Sequence, residues 1–251
     1  MKNKTFLPLL VAALMAALSL AGLFFQPALY PTQELQRAFV SNDVVNLLIG
    51  LPVLLISLSL ARRDKTLGVL LLPGALLYVT YNYIAYSVAT WMSAPTFFYI
   101  VLVGLSAWSA FQTFATINRE SAQQKLHGTV PARFAGGVLM VFGLLFFLRA
   151  VAEFFDGAAG ITEFGVLVAD LLITPLWILG GLSLWRKQAF GYAIGAGLLF
   201  QASMLFVGLL LFFILQPFLI GAEFPATDFA VILGMGLIFF IPFGIFVKRA
   251  K

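Results

Sequence analysis

Asn46-Leu47-Leu48-Ile49-Gly50-Leu51-Pro52 and, about 124 positions later, Asp170-Leu171-Leu172-Ile173-Thr174-Pro175 are the stretches that decide how this chain is read. Each runs into a similar exit, Ser57-Leu58-Ser59-Leu60-Ala61-Arg62-Arg63 in the first case and Gly181-Leu182-Ser183-Leu184-Trp185-Arg186-Lys187 in the second. Both read as an apolar span that carries an amide or a carboxylate, then a proline, and ends in a basic turn. A repeat of such spans matters because sites in membrane-embedded chains often form where two halves meet.

The rest of the chain has the same character. With 62% hydrophobic and 10% charged residues and a mean hydropathy of +1.03, the chain holds more apolar surface than a soluble globule of 251 residues buries. The apolar residues fall in long runs, not in the alternating segments of an outer-membrane barrel. The expected fold class is therefore all-α, a polytopic membrane helical bundle. The absence of cysteine removes disulfides, thiolate metal sites and thiol redox chemistry. The single histidine, His127, reads as a solvated loop residue, so paired haem ligation is excluded and no cofactor is expected. No strand–GxxxxGK–helix pattern occurs, which argues against nucleotide-driven pumping by this chain alone.

A helix needs roughly 20 apolar residues to cross the hydrocarbon core. Eight segments qualify, at about 6–25, 40–61, 67–89, 95–117, 134–155, 161–185, 189–215 and 228–247. The first follows Met1-Lys2-Asn3-Lys4 as a signal peptide would, but its apolar run exceeds a usual h-region and it reads as a retained helix. Alternate connections then collect Lys2, Lys4, Arg62, Arg63, Lys65, Arg119, Lys125, Arg133, Arg186, Lys187, Lys248, Arg249 and Lys251, thirteen of the fifteen basic residues. The positive-inside rule makes both termini cytoplasmic, in the plasma (inner) membrane of a prokaryote. The pI near 9.6 is thus a topology signal, and nucleic acid is not expected as a partner; the lipid bilayer is. Glu34, Asp43, Glu153, Asp156, Glu163, Asp170, Glu223 and Asp228 lie outside or in the outer half of the membrane. The connections at 26–39, 118–133 and 216–227 are too short for a soluble domain, so 1–251 reads as one membrane domain.

Four spans per half make the halves, 1–126 and 127–251, parallel repeats related by an axis along the membrane normal. The match is best for spans two and three against six and seven. It requires a one-residue slip around the prolines and another after the basic turn.

A charged side chain at mid-bilayer costs roughly 2.5–3.5 kcal/mol, so it faces the bundle interior and finds a partner. The fifth span carries Arg149, Glu153 and Asp156 on one stripe, and the sixth carries Glu163 and Asp170 on one face. Arg149 is within reach of Glu153 on its own helix or of Asp170 across the gap. Such a pair either pins two helices together or serves as a substrate or proton site. The second span carries Asp43, Asn46 and Gly50 along one stripe; the third carries Tyr78, Asn82 and Tyr86, with Tyr81 beside them. Tyr86 reads as an interfacial belt residue, whereas Tyr78 and Asn82 are deeper and require partners such as Asn46 or Asp43. Gln201 falls near the counterpart of Tyr78. Pro52 and Pro175, in equivalent places, are candidate kinks beside these stripes.

Asp43…Asn46…Gly50-Leu51-Pro52, then Leu77-Tyr78…Tyr81-Asn82-Tyr83…Tyr86, Asp170…Pro175 and Arg186…Gly191-Tyr192 resemble a pattern in uncharacterised multi-pass membrane proteins of bacteria and archaea. The resemblance covers much of the chain. It implies an eight-helix prokaryotic membrane protein and transfers no catalytic residue.

The leading functional expectation is a bundle for small-solute or ion/proton-coupled transport, or for solute binding. Its polar cavity would open to the outer side, with walls from spans two, three, five, six and seven. Asp170, Arg149, Glu153, Asn46, Asp43, Tyr78, Asn82 and Gln201 are the candidate ligand-binding residues. One alternative is a structural or assembly subunit whose polar pairs fix helix register. The other is an enzyme acting on a lipid or quinone, with Asp170 or Glu153 as general acid/base, although no metal ligands or nucleophile–base motif support it.

Overall fold

A computed structural model describes residues 3–91 and 93–250, leaving out the side chains of Asn3 and Lys4. The helices in chain order are α1 (Asn3–Phe24), α2 (Gln26–Leu29), α3 (Gln33–Val45), a π turn (Asn46–Gly50), α4 (Leu51–Arg62), α5 (Thr66–Ala89) and α6 (Thr96–Ala115). They continue with α7 (Arg119–Leu126), α8 (Ala132–Asp156), α9 (Ile161–Trp185), α10 (Ala189–Ile220) and α11 (Ala226–Arg249). Among the described residues eight helices are long and apolar enough to cross a membrane: α1, α3 continued into α4, α5, α6 and α8 to α11. Their exposed faces carry large apolar side chains such as Phe97, Leu148, Phe155 and Phe218, as contact with lipid requires. The protein is an all-helical, multi-pass membrane protein.

Two helices extend beyond their apolar runs. The second span begins at Gln33 because Thr32 caps it, its Oγ1 accepting the Leu35 N–H, and Glu34 sits in the first turn where the helix dipole favours an acid. α10 runs through Pro217 to Ile220 and stops at Gly221, whose φ of +65° is the left-handed conformation that glycine adopts freely. The alternation of spans gathers the connections 63–65, 116–131 and 186–188 at one end, here the basic end. The connections 25–32, 90–95, 157–160 and 221–225 lie at the opposite, acidic end. Lys2 and Lys251 lie outside the described residues.

α5 is the central helix: 78% of the residues in an apolar 18-residue stretch of it are buried, against 22% in such stretches of α8 and α11. It crosses α10 at Gly74 and Gly197, and a Cβ on Gly74 would fall 2.1 Å from the Gly197 carbonyl oxygen, so the two backbones touch. Around this crossing the packing is mirrored. α4 lies on α5 as α9 lies on α10; α9 reaches α5 as α3 reaches α10; α1 packs on α6 as α8 packs on α11.

The mirroring extends to backbone detail at a spacing of 123 positions. Asp64 and Lys187 are the two non-glycine residues with positive φ among those described, +52° and +56°. Each ends its helix with the same pair of hydrogen bonds: Lys65 N–H to Leu60 O and Asp64 N–H to Ala61 O, then Gln188 N–H to Ser183 O and Lys187 N–H to Leu184 O. A Cβ on Gly68 would strike Ala61 N at 2.2 Å, and one on Gly191 would strike Leu184 N at the same distance. The basic turns therefore correspond 123 positions apart, with no second slip after them. The slip near the prolines has a physical form, because the Leu51 N–H donates to Asn46 O, five residues back. That π turn houses one extra residue, so Asn46 matches Asp170 at 124 while Pro52 matches Pro175 at 123. α9 shows no such turn and passes Pro175 as one continuous helix.

Candidate functional site

The central position of α5 decides where the polar stripes go. Tyr78 and Asn82 are 2% and 9% exposed, and Tyr81 faces α9, where its hydroxyl donates to Asp170 Oδ1 at 2.8 Å. Asp170 is itself 6% exposed. Its backbone carbonyl accepts from Thr174 Oγ1. Two turns deeper than Asp170, Trp177 Nε1 donates to Gln201 Oε1 at 2.7 Å, joining α9 to α10. Asn82 does not meet Asn46 or Asp43. Its amide donates to Tyr78 O, and its Oδ1 faces Asn42 Nδ2 at 3.4 Å.

A cavity of about 350 Å³ opens between α3, α5, α8, α9 and α10 in the acidic half. Asp170, Arg149, Tyr78, Tyr81, Asn42 and Asn82 line it, and Phe39, Phe146, Trp177 and Phe206 supply its apolar walls. The size and the mixture of apolar walls with a few convergent polar groups suit a small organic ligand. Among the described residues no group of three His, Cys, Asp or Glu converges as a metal site.

Arg149 pairs with Glu153 on its own helix, Nε to Oε1 at 2.8 Å, with the two side chains 48% and 43% exposed. The pair therefore pins no second helix. Asp170 feels the Arg149 charge but forms no ion pair, and Arg149–Glu153 is the sole salt bridge among the described residues.

Asp43, Asn46 and Gln201 lie off the cavity wall. Asp43 is fully buried against α1 and accepts from Tyr30 Oη at 2.7 Å and Tyr86 Oη at 3.0 Å. Gly22 makes room for it, since a Cβ there would meet Asp43 Oδ2 at 1.9 Å. Burial first, and the Asp43 carboxyl second, push the Tyr30 phenol above its ordinary value, so Tyr30 stays a donor. Tyr86 is fully buried and stacks on Phe39 at 4.1 Å, which corrects its reading as a belt residue. Near its acidic end the central helix keeps its side chains almost wholly buried.

Neither amide atom of Asn46, nor Tyr78 Oη, nor Gln201 Nε2 has a hydrogen-bond partner, although all are buried. For two of these, the residue at the 123-position spacing lacks the donor or acceptor found in the other case. Asp170 is held by Tyr81, but the residue 123 positions after Tyr81 is Met204, which offers Asn46 no donor. Gln201 is held by Trp177, but the residue 123 positions before Trp177 is Leu54, which offers Tyr78 nothing.

No family model, curated protein or solved structure matches the chain.

The residues that sequence reasoning missed are Asn42, Trp177 and Glu34. Asn42 sits a helical turn before Asn46 and was legible as part of the same polar face. Glu34 Oε1 accepts from both Thr162 N and Thr162 Oγ1, tying the starts of α3 and α9 together. It read as a loop acid. Trp177, an apolar residue in an apolar run, gave no signal.

Proposed function

We propose that this protein is a solute-binding bundle of the small-molecule transport type, with its ligand held in the acidic-half cavity. The observation that carries this reading is that Asp170, buried in the middle of a span and without an ionic partner, lines a cavity of about 350 Å³. Leaving a charged group unpaired there costs free energy that a structural role alone does not require. Tyr81 orients Asp170, Asn42 and Asn82 supply polar contacts beside it, and Arg149 balances charge at the rim. Asp43, Asn46 and Gln201 support the walls from behind. The positive-inside rule assigns the basic end to the cytoplasm, so the cavity belongs to the outer half of a prokaryotic inner membrane. The equal turns, equal glycine contacts and mirrored packing support an ancient duplication of a four-span unit.

Asp170→Asn and Arg149→Gln, purified separately in detergent, test this against a small-molecule library by ligand-induced thermal stabilisation. Wild type responds to a subset of compounds and Asp170→Asn loses that response while keeping its fold. The reading fails if no compound stabilises wild type and both variants merely melt earlier.

A second reading is a structural or assembly subunit of a membrane complex, in which the buried polar contacts between α5, α9 and α10 fix helix register. A stoichiometric partner co-purifying with the wild type, together with an Asp170→Asn variant that assembles normally, would favour it. Chemistry on a lipid or quinone is the weakest alternative, because no nucleophile–base pair lines the cavity and no group of three metal-ligating side chains converges among the described residues.

A further inference from the structure

We infer that the cavity selects a lipophilic organic cation, an alkyl- or arylammonium compound of modest size, with Asp170 as its counter-ion. The inference rests on the solute-binding reading and adds the ligand's charge and polarity to it.

Charge bookkeeping around the cavity leaves a surplus of carboxylate. Arg149 is its single basic side chain and is already engaged by Glu153. Glu163, at the mouth, accepts the Gly160 N–H and caps the start of α9, where the helix dipole partly offsets its charge. Asp170 has only the Tyr81 hydroxyl on Oδ1. An anionic ligand would meet this surplus with no free cation to receive it. A neutral apolar ligand would leave Asp170 uncompensated in a low-dielectric wall.

The walls exclude a hard metal ion and suit a soft cation. Mg²⁺ or Ca²⁺ requires about six oxygen ligands, whereas Tyr81, Trp177, Phe146 and Phe206 present rings. Aromatic faces carry partial negative charge and attract a diffuse ammonium group, and their area accommodates its hydrocarbon substituents. Tyr78 lies on the cavity wall with its ring against Gly50 (a Cβ there would come within 2.9 Å of Cε1) and is 2% exposed, which adds a further aromatic surface to the site.

Binding of benzyltrimethylammonium and of its uncharged isostere neopentylbenzene, measured by calorimetry on the purified full chain in detergent, tests the assignment. A Gly208→Leu variant, which fills the cavity beside Tyr78, supplies the baseline for partitioning into micelles. Wild type is expected to bind the cation more tightly than the isostere, and Asp170→Asn to lose about tenfold or more in cation affinity with little change for the isostere. Arg149→Gln is expected to bind the cation several-fold more tightly, a gain that misfolding cannot produce. Equal cation affinity in wild type and Asp170→Asn, or weaker binding in Arg149→Gln, overturns the cation assignment. Preference for the isostere, or for benzenesulfonate, overturns it too but leaves the solute-binding site standing. If neither probe binds wild type above the Gly208→Leu baseline, the site reading falls as well.

Discussion

Asn46 and Asp170 occupy matching places in the two halves, yet one is orphaned and the other is held. Tyr81 donates to Asp170, while Met204, 123 positions after Tyr81, carries no hydrogen-bond donor and Asn46 has no partner. A buried amide with no partner costs its full desolvation, about 1–3 kcal/mol. Asn46→Leu is therefore expected to raise stability by about 1–3 kcal/mol, read as a higher midpoint of thermal unfolding in detergent. A lower midpoint would mean that Asn46 has a partner, such as ordered water or ligand. Tyr81→Phe goes the other way. It removes the hydroxyl from Asp170 and is expected to cost about 0.6–1.7 kcal/mol in the same measurement. Sequence spacing alone singled out Asp170 and Arg149, and both line the cavity. It left open whether Arg149 meets Glu153 or Asp170, because that depends on how α8 and α9 are rotated about their axes.

Among the elements, the π turn is the one whose cause is local and whose effect is long-ranged. One added residue in an α-helix turns everything beyond it by about 100°, since a turn takes 3.6 residues. Housing it as a π turn keeps Asp43 and Asn46 on the inner face while Pro52 keeps its own register. Deleting Leu48, which is 60% exposed, is expected to convert the turn to regular α-helix and preserve the fold. Deleting Leu55 within α4 has no such outlet and is expected to abolish monodisperse protein on size-exclusion chromatography. The one-residue slip near the prolines was visible in the sequence, but its form was not. Two further elements, the basic turns, each hold a side-chain-bearing residue in the left-handed region, at Asp64 and Lys187. Asp64→Gly and Lys187→Gly are each expected to add about 1 kcal/mol of stability, because the Cβ penalty of that conformation disappears. Unequal signs for the two would show that the turns are not equivalent.

For the whole molecule, the charge asymmetry between the two ends leads to the remaining prediction. Green fluorescent protein fused after Lys251 is expected to fluoresce in a bacterial host, and alkaline phosphatase inserted between Gly157 and Gly160 to be active. The reverse pattern would put the cavity on the cytoplasmic side and undo the positive-inside assignment. The glycine crossing of α5 and α10 lies on the basic side of the cavity-lining residues of α5, with direct backbone contact at Gly74 and Gly197. The crossing was not legible from glycine spacing, since glycines in membrane helices mark close packing without naming the partner.

The sequence by itself determined that the chain is an all-helical membrane protein of eight spans, with basic residues at one end and carboxylates toward the other. Those properties follow from the bilayer, which imposes a length and polarity on every stretch of about 20 residues independently of its neighbours. The tertiary structure alone decided that α5 is central, that Tyr86 is core and not belt, that Asn42 and Trp177 join the cavity, and that Asp170 goes without an ionic partner. Each of these depends on which helices adjoin and how each is turned about its axis. No local rule in the sequence fixes that rotation; the packing of all eight helices together does.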